Sequence, residues 1–340
     1  MWPQSLGAVI ALAMTCMAWV PVGAQGQDET VYVANADSGP ATAYAALSSG
    51  AVLPSATLSN PNLNDTVWDP WGVTVDGTGS IYVQTFLSNA TSFVFPAGAD
   101  AGTPPSRVFR AAGPDTRAIA VDADGYAYIA TGEHSAEIFV LPPGAAGQPG
   151  NLYSVSPVRS IQTDEALWYP WADILTTDSD GNVLAAVVRS EGNAIEIFAG
   201  GPSGPGTPNR VIAGAHTGLG SAPNDHLAIV FSPFTGRIYA AVSAGAQTHI
   251  SVFAGDAAGD ARPIRTIVGS QTGLEGKVIT GIADSQITGD IYAMVKDAQF
   301  GGAGQINVYG RLDNGDVSPR RSFTDASSQF AAAAGIAIAR

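Results

Sequence analysis

From residue 70 onward, short apolar runs alternate with clusters of Gly, Pro, Asp and Ser, and the alternation repeats as a unit. Each unit opens on an apolar stretch closed by Asp or Ser: "WGVTVD", "AIAVD", "ADILTTD", "LAIVFS" and "TGIADS". A turn follows ("GTGS", "ADGY", "SDGN", "FTGR", "ITGD"), then a second apolar stretch ("IYVQT", "AYIAT", "VLAAVV", "IYAAV", "IYAMV"). The third is "SFVF", "EIFVL", "IEIF", "ISVF" or "INVY". After a Pro/Gly/Ala loop, the fourth sets an Arg beside apolar residues, as in "SRVF", "VRSI", "NRVI", "IRTI" and "RRSF". Short runs rich in Val, Ile, Tyr and Phe, bounded by turn residues, predict strands, and no helical period competes with them.

The residues closing the first run are Asp76, Asp122, Asp178, Ser232 and Ser285, which lie 46, 56, 54 and 53 residues apart. Four strands recurring at that spacing predict β-propeller blades. The N-terminal part supplies a second-type strand, "TVYVAN" at 30–35, then "ATAYAAL" and "PSATL", but no first strand. The C-terminal part supplies only a first strand, "GIAIA" at 335–339. Joined, they complete one blade. The expected fold is therefore all-β: a six-bladed β-propeller of four-stranded antiparallel blades, its ring closed by N-terminal strands pairing with the C-terminal strand.

"GVTVDGTGSIYVQT", "AIAVDADGYAYIAT" and "ISVFAGDAAGDARPIRTIVGSQTGL" resemble the NHL-type and YVTN-type propeller repeats of secreted bacterial proteins, and "TVYVAN" is close to the motif that names the second group. The resemblance spans nearly all of residues 25–340 and implies the fold. It leaves function open among binding scaffolds, lyases and lactonases, so function must be argued from the site.

The first 24 residues read as a secretory signal: an apolar run from Leu6 to Val20, Pro21, and small residues ending at Ala24. Residues 25–340 are expected to form a single domain, secreted or periplasmic. The one cysteine, Cys16, lies in the leader, so no disulfide is expected in the rest. A net charge of −14 with only 15 Lys and Arg excludes nucleic acid as a partner and disfavours an anionic membrane surface. No membrane insertion is expected after signal removal.

Four of the six tryptophans fall in two segments, "VWDPWG" (67–72) and "LWYPWA" (167–172). Both lead into a first strand, hence towards one mouth of the central channel. The candidate ligand-binding residues there are Trp68, Asp69, Trp71, Arg117, Trp168, Tyr169, Trp171, Asp173 and Lys277. Aromatics mixed with a few polar groups in a concave place suit a carbohydrate, a small aromatic molecule or a partner peptide or protein. The same rings could instead pack between blades.

A lactonase-like hydrolase or lyase is the alternative, with Asp173, Asp225 and His226 as catalytic candidates around a divalent cation. A third reading is an envelope interaction scaffold without a small-molecule site. The pattern favours a binding protein over an enzyme, and no cofactor is required. "DADG" and "DSDG" read as hairpin turns rather than calcium loops. The recurrent Arg107, Arg159, Arg210, Arg265 and Arg321 read as a solvated fringe on the outer strands.

Overall fold

In the computed structural model, residues 29–37, 39–59, 68–86, 91–111, 116–131, 137–148, 153–163, 174–187, 189, 191–220, 225–244, 247–297 and 302–340 are described. They form six radial sheets. Blade 1 contains Pro70–Val75, Ile81–Thr85, Thr91–Phe95 and Arg107–Ala111. Blade 2 contains Thr116–Val121, Ala127–Thr131, Glu137–Leu141 and Arg159–Gln162. Blade 3 is Leu175–Thr177, Val183–Val187, Ala194–Phe198 and Arg210–Ile212, and blade 4 is His226–Ser232, Arg237–Ala244, Gln247–Ala254 and Arg265–Ile267. Blade 5 is Lys277–Asp284, Ile291–Asp297, Gly304–Tyr309 and Arg321–Asp325.

Blade 6 is composite. Ala333–Ala339 is its innermost strand and pairs antiparallel with Thr30–Asn35, from Thr30 opposite Ala339 to Ala34 opposite Gly335. Ala41–Ala45 and Ala56–Leu58 complete it. The innermost strand also packs against the first strands of blades 5 and 1, so the ring closes as the sequence predicts. Small Ala and Gly positions let the sheets approach, and the second strands bury Tyr32, Tyr82, Tyr128, Tyr239 and Tyr292 between blades.

The hairpin turns follow from their Asp residues. Asp122 Oδ1 accepts the backbone N–H groups of Asp124 (3.0 Å) and Tyr126 (2.9 Å), and Asp178 Oδ1 accepts those of Asp180 (3.0 Å) and Asn182 (2.8 Å). Gly125 and Gly181 then take φ of 85° and 78°, a region in which a Cβ is costly. Asp76 does the same for Thr78 and Ser80, and Tyr82 donates to its other oxygen at 3.1 Å. Burial pushes the Asp76 carboxyl up, but these hydrogen bonds outweigh it and hold the group below the usual carboxylate range.

The fourth-strand arginines are not a solvated fringe. Each turns its guanidinium to a backbone carbonyl in the next blade: Arg107 to Ala145 (3.1 Å), Arg159 to Ala199 (2.7 Å), Arg210 to Ala257 (2.7 Å), Arg265 to Arg311 (2.5 Å) and Arg321 to Ala46 (2.9 Å). Arg107 and Arg321 also lie over the rings of Tyr82 and Tyr292 and donate to their hydroxyls. Desolvation explains the correction: the loop carbonyls lose water when blades meet, and a forked cation replaces it. Arg159 reaches furthest, also contacting the carbonyls of Gly201, Ser203 and Pro205. Arg159→Ala is expected to lower stability by about 2 kcal/mol in urea unfolding, and Arg159→Lys to recover little, because an ammonium lacks the fork.

A second connector was invisible in the apolar pattern. The loop before a fourth strand runs parallel to the fourth strand of the preceding blade. Gly50–Val52 pairs with Arg321–Asp325, and Ser154–Val155 pairs with Arg107–Ala111. Gly259 and Gly315 make single bridges to Ile212 and Ile267.

Candidate functional site

The first strands all run from one face of the ring, the entry face, to the other, the exit face. At the entry face Trp68 is 8% exposed and packs on Phe93 and Phe95, with ring centroids 5.2 and 6.4 Å away. It belongs to the apolar cluster between blades 6 and 1. Trp71 is half-buried. Its indole N–H donates to Asp69 Oδ2 at 3.0 Å, and its ring leans on Phe86 with centroids 5.2 Å apart.

Trp71 also occupies a β-bulge, because Pro70 faces Thr85 while Gly72 faces Gln84. The same irregularity falls at residue 117 in blade 2 and at residue 280 in blade 5. A bulge re-aims the extra residue out of the ladder. It thus sets Trp71 and the backbone of Arg117 apart from their strands at one level of the ring.

Trp168, Tyr169, Trp171 and Asp173 lie outside the described residues. Counting back from the closing Asp separates the two tryptophan motifs. Trp71 is five residues before Asp76, whereas Trp171 is seven before Asp178, and Asp173 is the residue at the distance of Trp71. The motifs are therefore not register equivalents.

Lys277 is ion-paired with Asp297 across the first two strands of blade 5, with side chains 38% and 47% exposed. Asp225 is buried beside the half-buried His226, whose imidazole burial holds below its usual range, while Asp225 partly opposes the shift. Among the described residues, no three His, Cys, Asp or Glu side chains converge as a metal site.

At the exit end the first strands enclose a cavity of about 590 Å³. All six blades contribute to its wall, through Val73–Gly79, Ile119–Ala123, Leu175–Ser179, Ile229–Phe231 with Pro233, Ile282–Asp284 with Gln286, and 336–340. Most of that wall is aliphatic. Thr176 and Thr177 tie blades together there, Thr176 Oγ1 accepting the N–H of Phe231 (3.2 Å) and Thr177 Oγ1 donating to the carbonyl of Val121 (3.1 Å). Four carboxylates stand along it (Asp76, Asp122, Asp178, Asp284) against a single guanidinium, Arg340.

Asp284 differs from the other three. It is 4% exposed, and its Oδ2 has no hydrogen-bond partner among the described residues. Burial pushes its carboxyl up from 3.8 to about 6; a hydrogen bond with Ser232 works against the shift, and the nearby Glu29 adds to it. Glu29 itself accepts from the Ser285 hydroxyl (2.6 Å) and the Ile287 N–H (3.1 Å). Sequence reasoning passed over Asp284, although a signal existed: Val75, Val121, Thr177 and Phe231 precede the closing residue in the other complete blades, and only this one carries a charge.

A raised folded-state pKa means that Asp284 supports the fold below its unfolded value. That support is lost as pH rises through about 6. Asp284→Asn should therefore raise the melting temperature at pH 8, by an equivalent of up to about 3 kcal/mol, and leave it unchanged at pH 4. Calorimetry at the two pH values checks this.

No family model and no curated protein matches the chain. Solved structures do. A protein from Lactobacillus plantarum is similar over 92% of this chain and 99% of its own, at 11% identity and a TM-score of 0.52. The WD40 β-propeller domain of Doa1 aligns over 88% of this chain and 80% of its own, at 13% identity and a TM-score of 0.49. At such identities the likeness concerns the fold alone.

Proposed function

We propose that the protein works by reversible, non-covalent binding of a small molecule in its central channel, entered from the exit face. The observation that supports this is the cavity of about 590 Å³ walled by all six innermost strands, a size ordinary for a small-ligand site. The opposite mouth has less to offer a ligand among its described tryptophans: Trp68 is committed to packing, and Trp71 to Asp69 and Phe86. The aliphatic wall asks for a largely apolar body. Four carboxylates against one arginine favour a neutral or cationic ligand over an anion. The leader at 1–24 and the NHL-like and YVTN-like repeats support a secreted or periplasmic setting for this binding.

The test is a thermal-shift screen of neutral, cationic and anionic small molecules against the wild type and Thr74→Phe, which places a ring in the lumen. Neutral or cationic compounds should raise the melting temperature of the wild type only, and Trp71→Ala should keep the response. Hits that survive Thr74→Phe but vanish in Trp71→Ala would move the site to the entry mouth and overturn the proposal.

A further inference from the structure

The parallel connectors between blades follow one geometry. In blade 3 the Val211 carbonyl accepts the Gly259 N–H (2.7 Å), and the Ala213 N–H donates to the Gly259 carbonyl (3.0 Å). In blade 4 the Thr266 carbonyl and Val268 N–H bond to Gly315 in the same way, at 2.7 and 3.1 Å. In blade 1 the Val108 carbonyl accepts from Gly147 (2.8 Å), while the Arg110 N–H donates to Tyr153 (2.8 Å). In blade 5 the corresponding residue, Phe323, faces Gly50. The bridging residue lies six positions before the fourth strand each time, and each has a left-handed backbone: φ is 70° at Gly50, 58° at Tyr153, 62° at Gly259 and 74° at Gly315. A left-handed residue turns its own N–H and C=O together onto a neighbouring edge, and glycine does so at the lowest cost.

Blade 2 breaks the rule. Its fourth strand, Arg159–Gln162, has no parallel connector, although the whole loop that should supply one, 199–209, is described. The residue six positions before Arg210 is Gly204, and it has a φ of 145° instead. Pro205 follows it and removes an N–H, and the loop's carbonyls at Ala199, Gly201, Ser203 and Pro205 converge on Arg159. The edge groups that correspond to Val211 and Ala213 are the Ser160 carbonyl and the Gln162 N–H. Both residues are exposed, and neither group has a backbone partner among the described residues. Ile161 between them is fully buried, which anchors the strand rigidly.

We propose that this edge is a docking site for a short extended peptide of a partner protein, which pairs in parallel with Arg159–Gln162 and places a glycine opposite Ile161. The occupant's chemistry is set by the four connectors the molecule already contains: one left-handed residue, three of four times glycine, whose N–H meets the Ser160 carbonyl and whose carbonyl meets the Gln162 N–H. Affinity comes from main-chain hydrogen bonds, as in other strand additions. The site is independent of the channel.

The probe is a synthetic peptide of residues 313–318, "DNGDVS", which carries the Gly315 connector. Added at millimolar concentration to the labelled full chain, it should shift the amide resonances of 159–163 and slow hydrogen exchange at Gln162. The same peptide with N-methylglycine at the glycine should lose at least tenfold in affinity, because it can no longer donate to Ser160. Gln162→Pro, which removes only the outward N–H of an edge strand, should lose as much while keeping the wild-type melting temperature. No shift at 159–163, equal binding of the N-methylated peptide, or protection of Gln162 by concentration-dependent self-association would each overturn the proposal. The peptide pair decides the question even if Gln162→Pro folds poorly.

Discussion

A chain ending at Ala334 should fail to give a cooperative thermal transition and should accumulate as insoluble protein. Residues 335–340 hold most of the innermost strand of blade 6, in which all seven residues of Ala333–Ala339 are buried. Losing it removes Ile336 and Ile338 from the core, at about 1.5–3 kcal/mol each, and opens the ladder from Thr30 opposite Ala339 to Ala34 opposite Gly335. It also bares the edge of Thr30–Asn35 and strips a neighbour from the first strands of blades 5 and 1. A folded domain has a net stability of only about 5–15 kcal/mol, so these losses together reach its whole margin. Circular dichroism on heating, with soluble yield, measures this. A truncated chain that melted within a few degrees of the intact one would show that the ring does not depend on its composite blade.

Trp68→Ala should cost about 3–5 kcal/mol, the range for removing a buried aromatic side chain. The indole fills the junction of blades 6 and 1, against Phe93 and Phe95 and in one cluster with Tyr32, Ala41, Leu58, Val73 and Ile81. Alanine-rich sheets leave a gap there that backbone movement cannot close without breaking hydrogen bonds. Trp71→Ala, at a half-buried position, should cost about 1 kcal/mol. Urea unfolding should therefore show a large fall in midpoint for the first variant and a small one for the second, at unchanged m. The reverse order would mean that the packing ring is Trp71.

The propeller was legible because its inner strands and turns are local. Each apolar run ends at an Asp or Ser, and at Asp76, Asp122 and Asp178 that residue organises its own hairpin through N–H groups two and four residues on. Blade closure was legible for a similar reason, since a missing first strand at one end and a spare one at the other leave a single way to complete the ring. The arginines were misread because their partners are carbonyls in the next blade, and any loop sequence can supply a carbonyl. The connectors at Gly50, Tyr153, Gly259 and Gly315 were missed because a left-handed residue beside a neighbour's edge has no apolar period.

The candidate site divides along the same line. The sequence placed Trp68 and Trp71 together, yet a tightly packed ring and a half-buried one three residues apart look alike in a composition. "LWYPWA" looked like the echo of "VWDPWG" until distances were counted from Asp178 and Asp76. The channel cavity could not be read from any one repeat, since six strands far apart in the chain share its wall. Asp284 was readable, as the one charge in a column otherwise filled by Val75, Val121, Thr177 and Phe231. Only its burial and its unpartnered oxygen give that charge a meaning.

The most direct test of channel binding is a crystal structure of the protein with a compound that raises its melting temperature. The account predicts ligand density inside the ring, in contact with Val73, Ile119, Leu175 and Ile282 and bounded at the exit face by the first hairpin turns. Density stacked on Trp71 at the entry face, or lodged among the outer loops with the channel unchanged, would contradict it.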